Sequence, residues 1–197
     1  MKINYWVFFL WVCLSGCSFS GGKKKITKQS DMLAFTNDSV NGLKKNEQVG
    51  PIKIGLTYKP WQLLVSRQKD AANKSDSSKI AYFKNKLFFV LSLSANHKEV
   101  LRQLKFNDYS EMVQVLAFRM SQFIKAIPDE GKEVEPLECI FQQTYGMGSE
   151  NEILVVFERQ KLIKGDSFNI YINEFGLNTG NLKFEFKTSD INNIAID

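Results

Sequence analysis

Hydrophobic and polar residues alternate with a period of two in several short stretches of the chain. Residues 52–58 and 182–186 follow this alternation, which predicts strands with one face toward a core. Residues 87–93 are apolar at nearly every position and rich in β-favouring side chains, which predicts a central strand covered on both faces. Turn-like segments rich in Gly, Asn and Asp separate three further predicted strands, at residues 137–145, 153–157 and 168–173.

Two stretches near the first strands are less regular. Residues 60–65 are apolar without a clear period, and we interpret them as a strand. Residues 70–79 are rich in Asn, Ser, Asp and Lys, and this composition predicts a loop.

Two helices are predicted between the central strand and the C-terminal strands. Asn96 precedes Glu99 by three residues, and Asp108 precedes Glu111 by three, so each pair has the spacing of a capping box. Apolar residues then recur at steps of three and four, which is typical of an amphipathic helix that continues toward Pro128. These positions are Tyr109, Met112, Val113, Leu116, Met120, Phe123, Ile124 and Ile127.

This order of elements indicates an α+β domain over residues 51–197. Strands come first, then helices, and then a run of strands. We therefore expect an antiparallel β-sheet with a C-terminal four-stranded meander. The long amphipathic helix, preceded by a short helix, is expected to cover one face of that sheet.

The N-terminus has a different pattern. Lys2 is followed by an almost entirely apolar run over residues 3–14. As a helix, these twelve residues would span only about 18 Å, whereas the hydrocarbon core of a membrane is about 30 Å thick. The run is thus too short for a transmembrane helix and fits the apolar region of a secretory signal. It ends in Leu14-Ser15-Gly16-Cys17.

This tetrapeptide resembles the lipobox of bacterial lipoproteins, which has a Leu, two small residues and an obligatory Cys. The resemblance covers residues 1–17 and implies that 1–16 is a signal peptide cut between Gly16 and Cys17. It also implies that the Cys17 thiol carries a diacylglycerol and that the new amino terminus is acylated, for example with palmitate. The alternatives are an ordinary secretory signal that happens to contain a Cys, or an uncleaved anchor.

The resemblance predicts attachment to a membrane of the cell envelope through the lipid on Cys17. Ser18, rather than Asp, follows the Cys, which fits an outer-membrane lipoprotein that faces the periplasm. Residues 17–50 are polar and contain a Lys triplet at 23–25, so we expect a lipidated tether. Residues 32–35 (Met-Leu-Ala-Phe) could instead form a short turn that docks on the domain.

Composition limits the possible chemistry. The chain has 197 residues, three cysteines and one histidine, which excludes a disulfide-built mini-protein and any metal site that needs several His or Cys ligands. With Cys13 removed and Cys17 lipidated, only Cys139 remains, and we expect a buried, unreactive thiol. The single histidine, His97, has no obvious catalytic partner and is predicted to be an exposed or capping residue. No metal or cofactor is predicted.

The net charge of +5 is unevenly distributed. Residues 51–125 hold 13 basic and 5 acidic side chains, whereas residues 126–197 hold 6 and 13. These opposed halves neutralise each other across the surface or else form two separate faces, one of which would suit a charged partner. Nucleic acid is not the expected partner, because Lys outnumbers Arg 22 to 4 and no nucleic-acid-binding motif is present.

Three functions are compatible with these features. The first is a non-catalytic, envelope-anchored module that binds or organises another envelope component, such as a protein partner. The second is an anchored hydrolase that uses carboxylates, for which Glu174, Glu158 and Glu185 are the best candidates. The third is a carrier of a small apolar ligand. The oligomeric state is open.

Three local features are candidate binding elements. The Gly/Asn-rich segment with Gly176, Asn178 and Gly180 is either a binding loop or a plain hairpin turn that needs positive φ. Tyr58 and Trp61 flank Pro60 and either line a groove or pack in the core. Residues 129–138 are acidic but lack the spacing of a calcium-binding loop, so we expect a solvated loop.

Overall fold

The computed structural model describes residues 29–69 and 77–194. The predicted signal peptide, Cys17 and the Lys triplet lie outside these residues. Within them the α+β class is confirmed, and every pair of neighbouring strands is antiparallel.

Nine strands and six α-helices make up the regular structure of the described residues. The strands are β1 Lys44–Val49, β2 Ile52–Lys59, β3 Lys86–Ala95, β4 Lys98–Glu99, β5 Ile124–Pro128, β6 Glu138–Gln142, β7 Asn151–Glu158, β8 Ser167–Ile172 and β9 Leu182–Lys187. The helices are α1 Gln29–Asn37, α2 Trp61–Lys69, α3 Ser77–Lys84, α4 Phe106–Gln114, α5 Arg159–Leu162 and α6 Thr188–Asn192. Short 3-10 turns occur at Ser39–Asn41, Val100–Gln103 and Met120–Gln122.

The strands form two sheets. The larger sheet has the order β1-β2-β3-β7-β6, with the short β4 paired to the end of β3. The smaller sheet has the order β5-β8-β9. The predicted central strand is confirmed, because β3 pairs with β2 on one side and with β7 on the other.

The two sheets meet around the ring of Phe89 on β3. Its centroid lies 6.2 Å from that of Phe157 in the same sheet, and 6.1 Å and 5.1 Å from those of Phe168 and Phe186 in the smaller sheet. Both sheets therefore contribute to one aromatic core. Around Phe89 the smaller sheet covers the face of the larger sheet. The sequence had predicted that the long helix would cover this face.

The opposite face of β3 is covered by helices. Side chains alternate across a strand, so Phe88 faces away from Phe89. Its ring lies 5.6 Å from that of Phe83 on α3. Met32 on α1 and Leu63 on α2 form a second, smaller apolar cluster. The predicted central strand is thus buried on both faces, as its continuous apolar sequence indicates.

The fold begins earlier than the predicted boundary at residue 51. Residues of the predicted tether form α1 and β1, and the interpretation that residues 32–35 dock on the domain is confirmed by the burial of Met32. The Gly50-Pro51 pair is the turn of the β1–β2 hairpin, in which Val49 pairs with Ile52. The charged sequence of β1 resembled a tether because an edge strand exposes much of its surface to water.

Residues 60–65 were predicted to be a strand, and this prediction was wrong. They open helix α2, which begins at Trp61 directly after Pro60. Proline before the first helical turn is favourable because it has no N–H group to leave unpaired. The predicted loop at 70–79 lies partly outside the described residues, and its end belongs to α3.

The prediction that a short helix begins at Asn96 was also wrong. Asn96 and His97 both have positive φ, 50° and 61°, and they form the two-residue turn between β3 and β4. Two positive φ angles match the right-handed twist of a tight hairpin, and Asn tolerates this conformation well. The predicted capping residue is therefore a hairpin residue, and helical geometry begins only at Val100.

The long helix is shorter than predicted. It begins at Phe106, two residues before the expected cap Asp108, and passes at Gln114 into a π-helical turn over Val115–Arg119. Ile124 and Ile127, predicted to lie on its inner face, belong to strand β5 instead. A spacing of three residues fits a helix, but here the preceding turn breaks the helix and pairing with β8 determines the conformation.

The four C-terminal strands are present at the predicted positions but do not form one meander. β6 pairs with β7, and β8 pairs with β9, while β7 and β8 lie in different sheets. Helix α5 and the turn that follows it carry the chain from one sheet to the other. Strand positions follow from local patterns, but strand partners depend on how the two sheets pack.

Replacing His97 with Gly should stabilise the fold. His97 is exposed and has a φ of 61°, a conformation that Gly adopts without steric cost. We expect the free energy of unfolding to rise by about 0.5–1 kcal/mol, measured by urea denaturation. The matched control is Lys98→Gly in β4, where the loss of strand propensity should lower stability. A destabilised His97→Gly variant would contradict this account of the turn.

Candidate functional site

A cleft of about 590 Å³ opens where both sheets and helix α4 come together. Its walls come from the β1–β2 turn, the β3–β4 turn, the segment from Val100 to α4, and the loop between β8 and β9. Its lining residues include Asn96, Val100, Gln103, Leu104, Asp108, Glu111, Met112, Val115, Phe175, Gly176, Leu177 and Asn178. Its volume is within the range of roughly 300–1,000 Å³ that is typical of small-molecule sites.

Helix α4 and the first π-helical residue present one continuous face to the cleft. Asp108, Glu111, Met112 and Val115 all line it, and their spacing of i, i+3, i+4 and i+7 places them on one side of a helix. Met112 and Val115 are buried, whereas Asp108 and Glu111 are exposed. The helix thus contributes an apolar floor and a rim with two carboxylates.

The loop between β8 and β9 is built around Glu174. One oxygen of its carboxylate accepts hydrogen bonds from the N–H groups of Gly176, Leu177 and Asn178, at 2.7–2.9 Å. The other oxygen accepts one from the N–H of Gly180 at 2.6 Å. Gly176, Asn178 and Gly180 all have positive φ, which turns successive N–H groups toward the same centre. The sequence expectation of positive φ in this segment is confirmed.

These hydrogen bonds stabilise the ionised form of Glu174. Partial burial alone raises the pKa of a carboxyl, but the four backbone N–H donors outweigh it and hold the pKa of Glu174 below its ordinary value. A carboxylate held in this way is a structural anchor and is poorly suited to act as a general acid. These four N–H groups are taken up by Glu174 and are not available to an anionic ligand.

The structure brings part of the candidate binding loop to the cleft. Gly176 and Asn178 line it, together with Phe175 and Leu177, whereas Gly180 does not. The side chains that face the cavity from this loop are thus apolar or amide. Whether the loop takes part in binding stays a prediction.

A second carboxylate, which is buried, supports the neighbouring turn. Glu99 accepts a hydrogen bond from the N–H of Gly148 at 3.0 Å and another from the Thr144 hydroxyl. Only 2% of Glu99 is exposed, and these donors compensate for its burial. The Gly146-Met147-Gly148 turn is thereby tied to β4, close to the segment that lines the cleft.

The other candidates take structural positions. Burial raises the pKa of the Cys139 thiol on β6 to about 12, so the thiol stays protonated and unreactive at neutral pH. Tyr58 is in the core against Phe89, and Lys84 lies over the ring of Trp61. His97 is exposed at the hairpin turn. The four candidates Cys139, Tyr58, Trp61 and His97 all lie outside the lining of the cleft.

The carboxylates proposed for hydrolysis are not grouped around the cleft. Glu158 forms an ion pair with Lys161 at 2.7 Å, Glu185 is exposed on β9, and Glu174 anchors its loop. In the acidic stretch, Glu133 pairs with Lys125 at 2.8 Å, and Asp129 accepts hydrogen bonds from Ser167. Within residues 29–69 and 77–194, no group of three His, Cys, Asp or Glu side chains is placed to hold a metal ion.

Asp108 and Glu111 were read from the sequence only as the capping box of a helix. The structure shows them in its first two turns, with no capping hydrogen bond from the residue that precedes the helix. The sequence feature that could have indicated a role in a site was the position of these two residues on the same helical face as Met112 and Val115. That face could not be assigned to a cleft without knowing which loops pack beside it.

Comparisons with known proteins leave the chain without a family. No protein-family model and no curated protein matches its sequence. A crystal structure of a DUF4426 family protein from Pseudomonas aeruginosa aligns with a TM-score of 0.39 and 10% identity, over 74% of this chain and 92% of that chain. A protein of unknown function from Burkholderia pseudomallei aligns with a TM-score of 0.40 and 8% identity, over 84% and 89%. The cleft is therefore interpreted from its own residues.

Replacing Glu174 with Gln should destabilise the protein in a pH-dependent way. The variant loses the charge that four N–H groups stabilise, so we expect the free energy of unfolding at pH 7 to fall by about 1–3 kcal/mol. The folded-state pKa lies below the ordinary value of 4.5, so the difference from wild type is present above about pH 5. It should shrink as the pH falls through the lowered pKa.

Urea denaturation at a series of pH values measures this difference. The control is Glu135→Gln, which removes an exposed carboxylate elsewhere and should leave stability nearly unchanged. A Glu174→Gln variant as stable as wild type at pH 7 would show that the loop does not depend on this anchor.

Proposed function

We propose that this protein is a lipid-anchored, non-catalytic binding protein of the bacterial cell envelope and that its cleft takes up a small amphiphilic molecule. The observation that carries the proposal is the cleft itself, with an apolar floor beside a rim of carboxylate and amide side chains. Specific small-molecule sites commonly combine mostly apolar walls with a few polar groups that orient the ligand.

The apolar floor supplies the main attraction. Val100, Leu104, Met112 and Phe175 come from three different segments and converge on one cavity. Burial of apolar surface contributes roughly 25 cal/mol per Å², and this gain has to exceed the free-energy cost of association. Measurable binding therefore requires a ligand with a substantial apolar part.

The anchor is inferred from the lipobox-like Leu14-Ser15-Gly16-Cys17. If Cys17 is the first mature residue, the twelve residues 17–28 precede the first described helix, α1. A fully extended chain of that length spans at most about 40 Å, so the cleft would operate close to the membrane surface. Among the described residues, no helix has the length and apolarity to cross a membrane. We place the protein at the outer membrane, facing the periplasm.

The binding function is preferred to the envelope hydrolase for a specific reason. The three carboxylates of the hydrolase hypothesis lie outside the cleft, and Glu174 is held ionised by its own loop. A retaining or inverting glycosidase needs two carboxyl groups that flank one bond, with one of them protonated. The small-ligand hypothesis, in contrast, uses the cleft, whose size and lining suit it.

A neutral apolar fluorophore should bind the cleft. We expect N-phenyl-1-naphthylamine to show saturable, one-site fluorescence enhancement with the mature chain from residue 17, carrying Cys17→Ser so that no lipid competes for the dye. Leu104→Trp fills the cleft from a half-buried lining position and should weaken binding about tenfold or more.

The matched control for this experiment is Phe118→Trp. Phe118 is 81% exposed and does not line the cleft, so the variant adds the same indole at a remote surface. It should bind the dye like the parent. Equal binding by both Trp variants, or no saturable binding at all, would refute the cleft as the site.

Lipidation depends on the Cys17 thiol. In a bacterial host, Cys17→Ser in the full chain should block both acylation and cleavage before residue 17. The expected result is accumulation of the larger precursor, detected by immunoblotting, and loss of labelling by radioactive palmitate. Cys13→Ser is the control, because Cys13 lies inside the predicted signal and should not affect processing. Unchanged size and unchanged labelling of Cys17→Ser would overturn the lipoprotein assignment.

A further inference from the structure

The lining of the cleft carries negative charge only. Asp108 and Glu111 line it, and no described Lys, Arg or His side chain does so. The charge of the lining is thus opposite in sign to the net charge of the surrounding sequence, because residues 51–125 hold 13 basic side chains and 5 acidic ones. The described acidic residues of that segment are Glu99, Asp108 and Glu111, so two of these three face the cleft.

These two carboxylates have no partner among the described residues. Neither of them forms an ion pair or a hydrogen bond with another side chain in residues 29–69 and 77–194. The other carboxylates discussed above differ in this respect: Glu174 and Glu99 accept N–H groups, and Glu158 pairs with Lys161. The negative charge at the cleft is therefore available to an incoming group.

Three side-chain amides extend the same rim. Asn96 comes from the β3–β4 turn, Gln103 from the 3-10 turn and Asn178 from the β8–β9 loop. Their carbonyl oxygens can accept hydrogen bonds from an ammonium or guanidinium group, in addition to the ionic attraction. Among the described residues, the polar rim thus combines two acceptor-only carboxylates with three amides and has no cationic donor.

We propose that the ligand of this cleft is a cationic amphiphile: a small molecule with an ammonium or guanidinium group and an apolar part. The cationic group lies at Asp108 and Glu111, and the apolar part lies over Leu104, Met112 and Phe175. This inference rests on the proposed binding function and adds the charge of the ligand to it.

The expected selectivity is moderate. Both carboxylates are exposed, and an exposed ion pair contributes about 0.2–1 kcal/mol. Two such contacts correspond to a preference of roughly two- to thirtyfold for a cation over a neutral ligand with the same apolar part. The preference should decrease as salt is added, because the Debye length shortens from about 10 Å at 0.1 M to about 3 Å at 1 M.

The test uses three ligands with one tail and different head groups. Decyltrimethylammonium, neutral decyl dimethylphosphine oxide and decyl sulfate are titrated calorimetrically, below their critical micelle concentrations, into the mature chain with Cys17→Ser. We expect the cation to bind most tightly and the sulfate most weakly. The advantage of the cation should shrink at high salt, while the neutral compound changes little.

Charge removal at the rim tests the same idea in the protein. Asp108→Asn combined with Glu111→Gln should reduce the affinity for the cation to that for the neutral compound and leave the neutral compound unaffected. Glu135→Gln removes an exposed carboxylate that does not line the cleft and should leave the preference intact. Thermal unfolding of each variant establishes that it is folded before its affinity is compared.

The outcomes separate this inference from the function on which it rests. Equal binding of all three compounds, or tighter binding of the sulfate, would overturn the cationic ligand while leaving the cleft a binding site. An unchanged preference in the double variant would overturn the role of Asp108 and Glu111. Failure of all three compounds and of the neutral fluorophore would overturn the binding function itself.

Discussion

The contact of Phe89 with rings from both sheets is the interaction on which the rest of the structure depends. Phe89 is fully buried, and its neighbours Phe157, Phe168 and Phe186 come from β7, β8 and β9. A buried aromatic side chain contributes roughly 2–3 kcal/mol through burial, and ring pairs add about 0.5–1.5 kcal/mol each. The smaller sheet has three strands, too few to be stable alone without a packed face, so this aromatic core holds it in place.

The geometry of the cleft follows from that packing. The β1–β2 and β3–β4 turns end strands of the larger sheet, whereas the loop with Phe175 and Asn178 joins two strands of the smaller one. Once the sheets are packed, these ends are adjacent, and α4 closes the remaining side. Glu174 then holds its loop in one conformation through four N–H groups. The cleft thus results from the packing of the two sheets and from the conformation that Glu174 gives to its loop. Its walls come from several separate segments of the chain.

Most strands could be predicted from the sequence, but their partners could not. Alternation identified β2 and β9, and the continuous apolar run identified β3, because these patterns follow directly from side-chain direction along a strand. Asn96 and Ile124 were misassigned because a capping-box spacing and a three-residue apolar step are each compatible with two conformations. Pairing across the chain selected the other conformation in both cases. The cleft was missed for the same reason, since Asp108 and Asn178 line one cavity only after the sheets have packed.

The charge of the cleft has to be weighed against the basic segment that surrounds it in sequence. None of the described basic residues in 51–125 lines the cavity, and salt screens the attraction or repulsion of an occupant by charges outside the lining. Asp108 and Glu111 line the cavity and have no partner among the described residues, so they supply the charge of its lining. Some lysines of this segment make contacts elsewhere: Lys125 pairs with Glu133, and Lys84 and Lys86 lie over aromatic rings. The overall charge of the segment is therefore a poor guide to a ligand, and the proposed sign of the ligand follows from two carboxylates at the cavity that have no partner in residues 29–69 and 77–194.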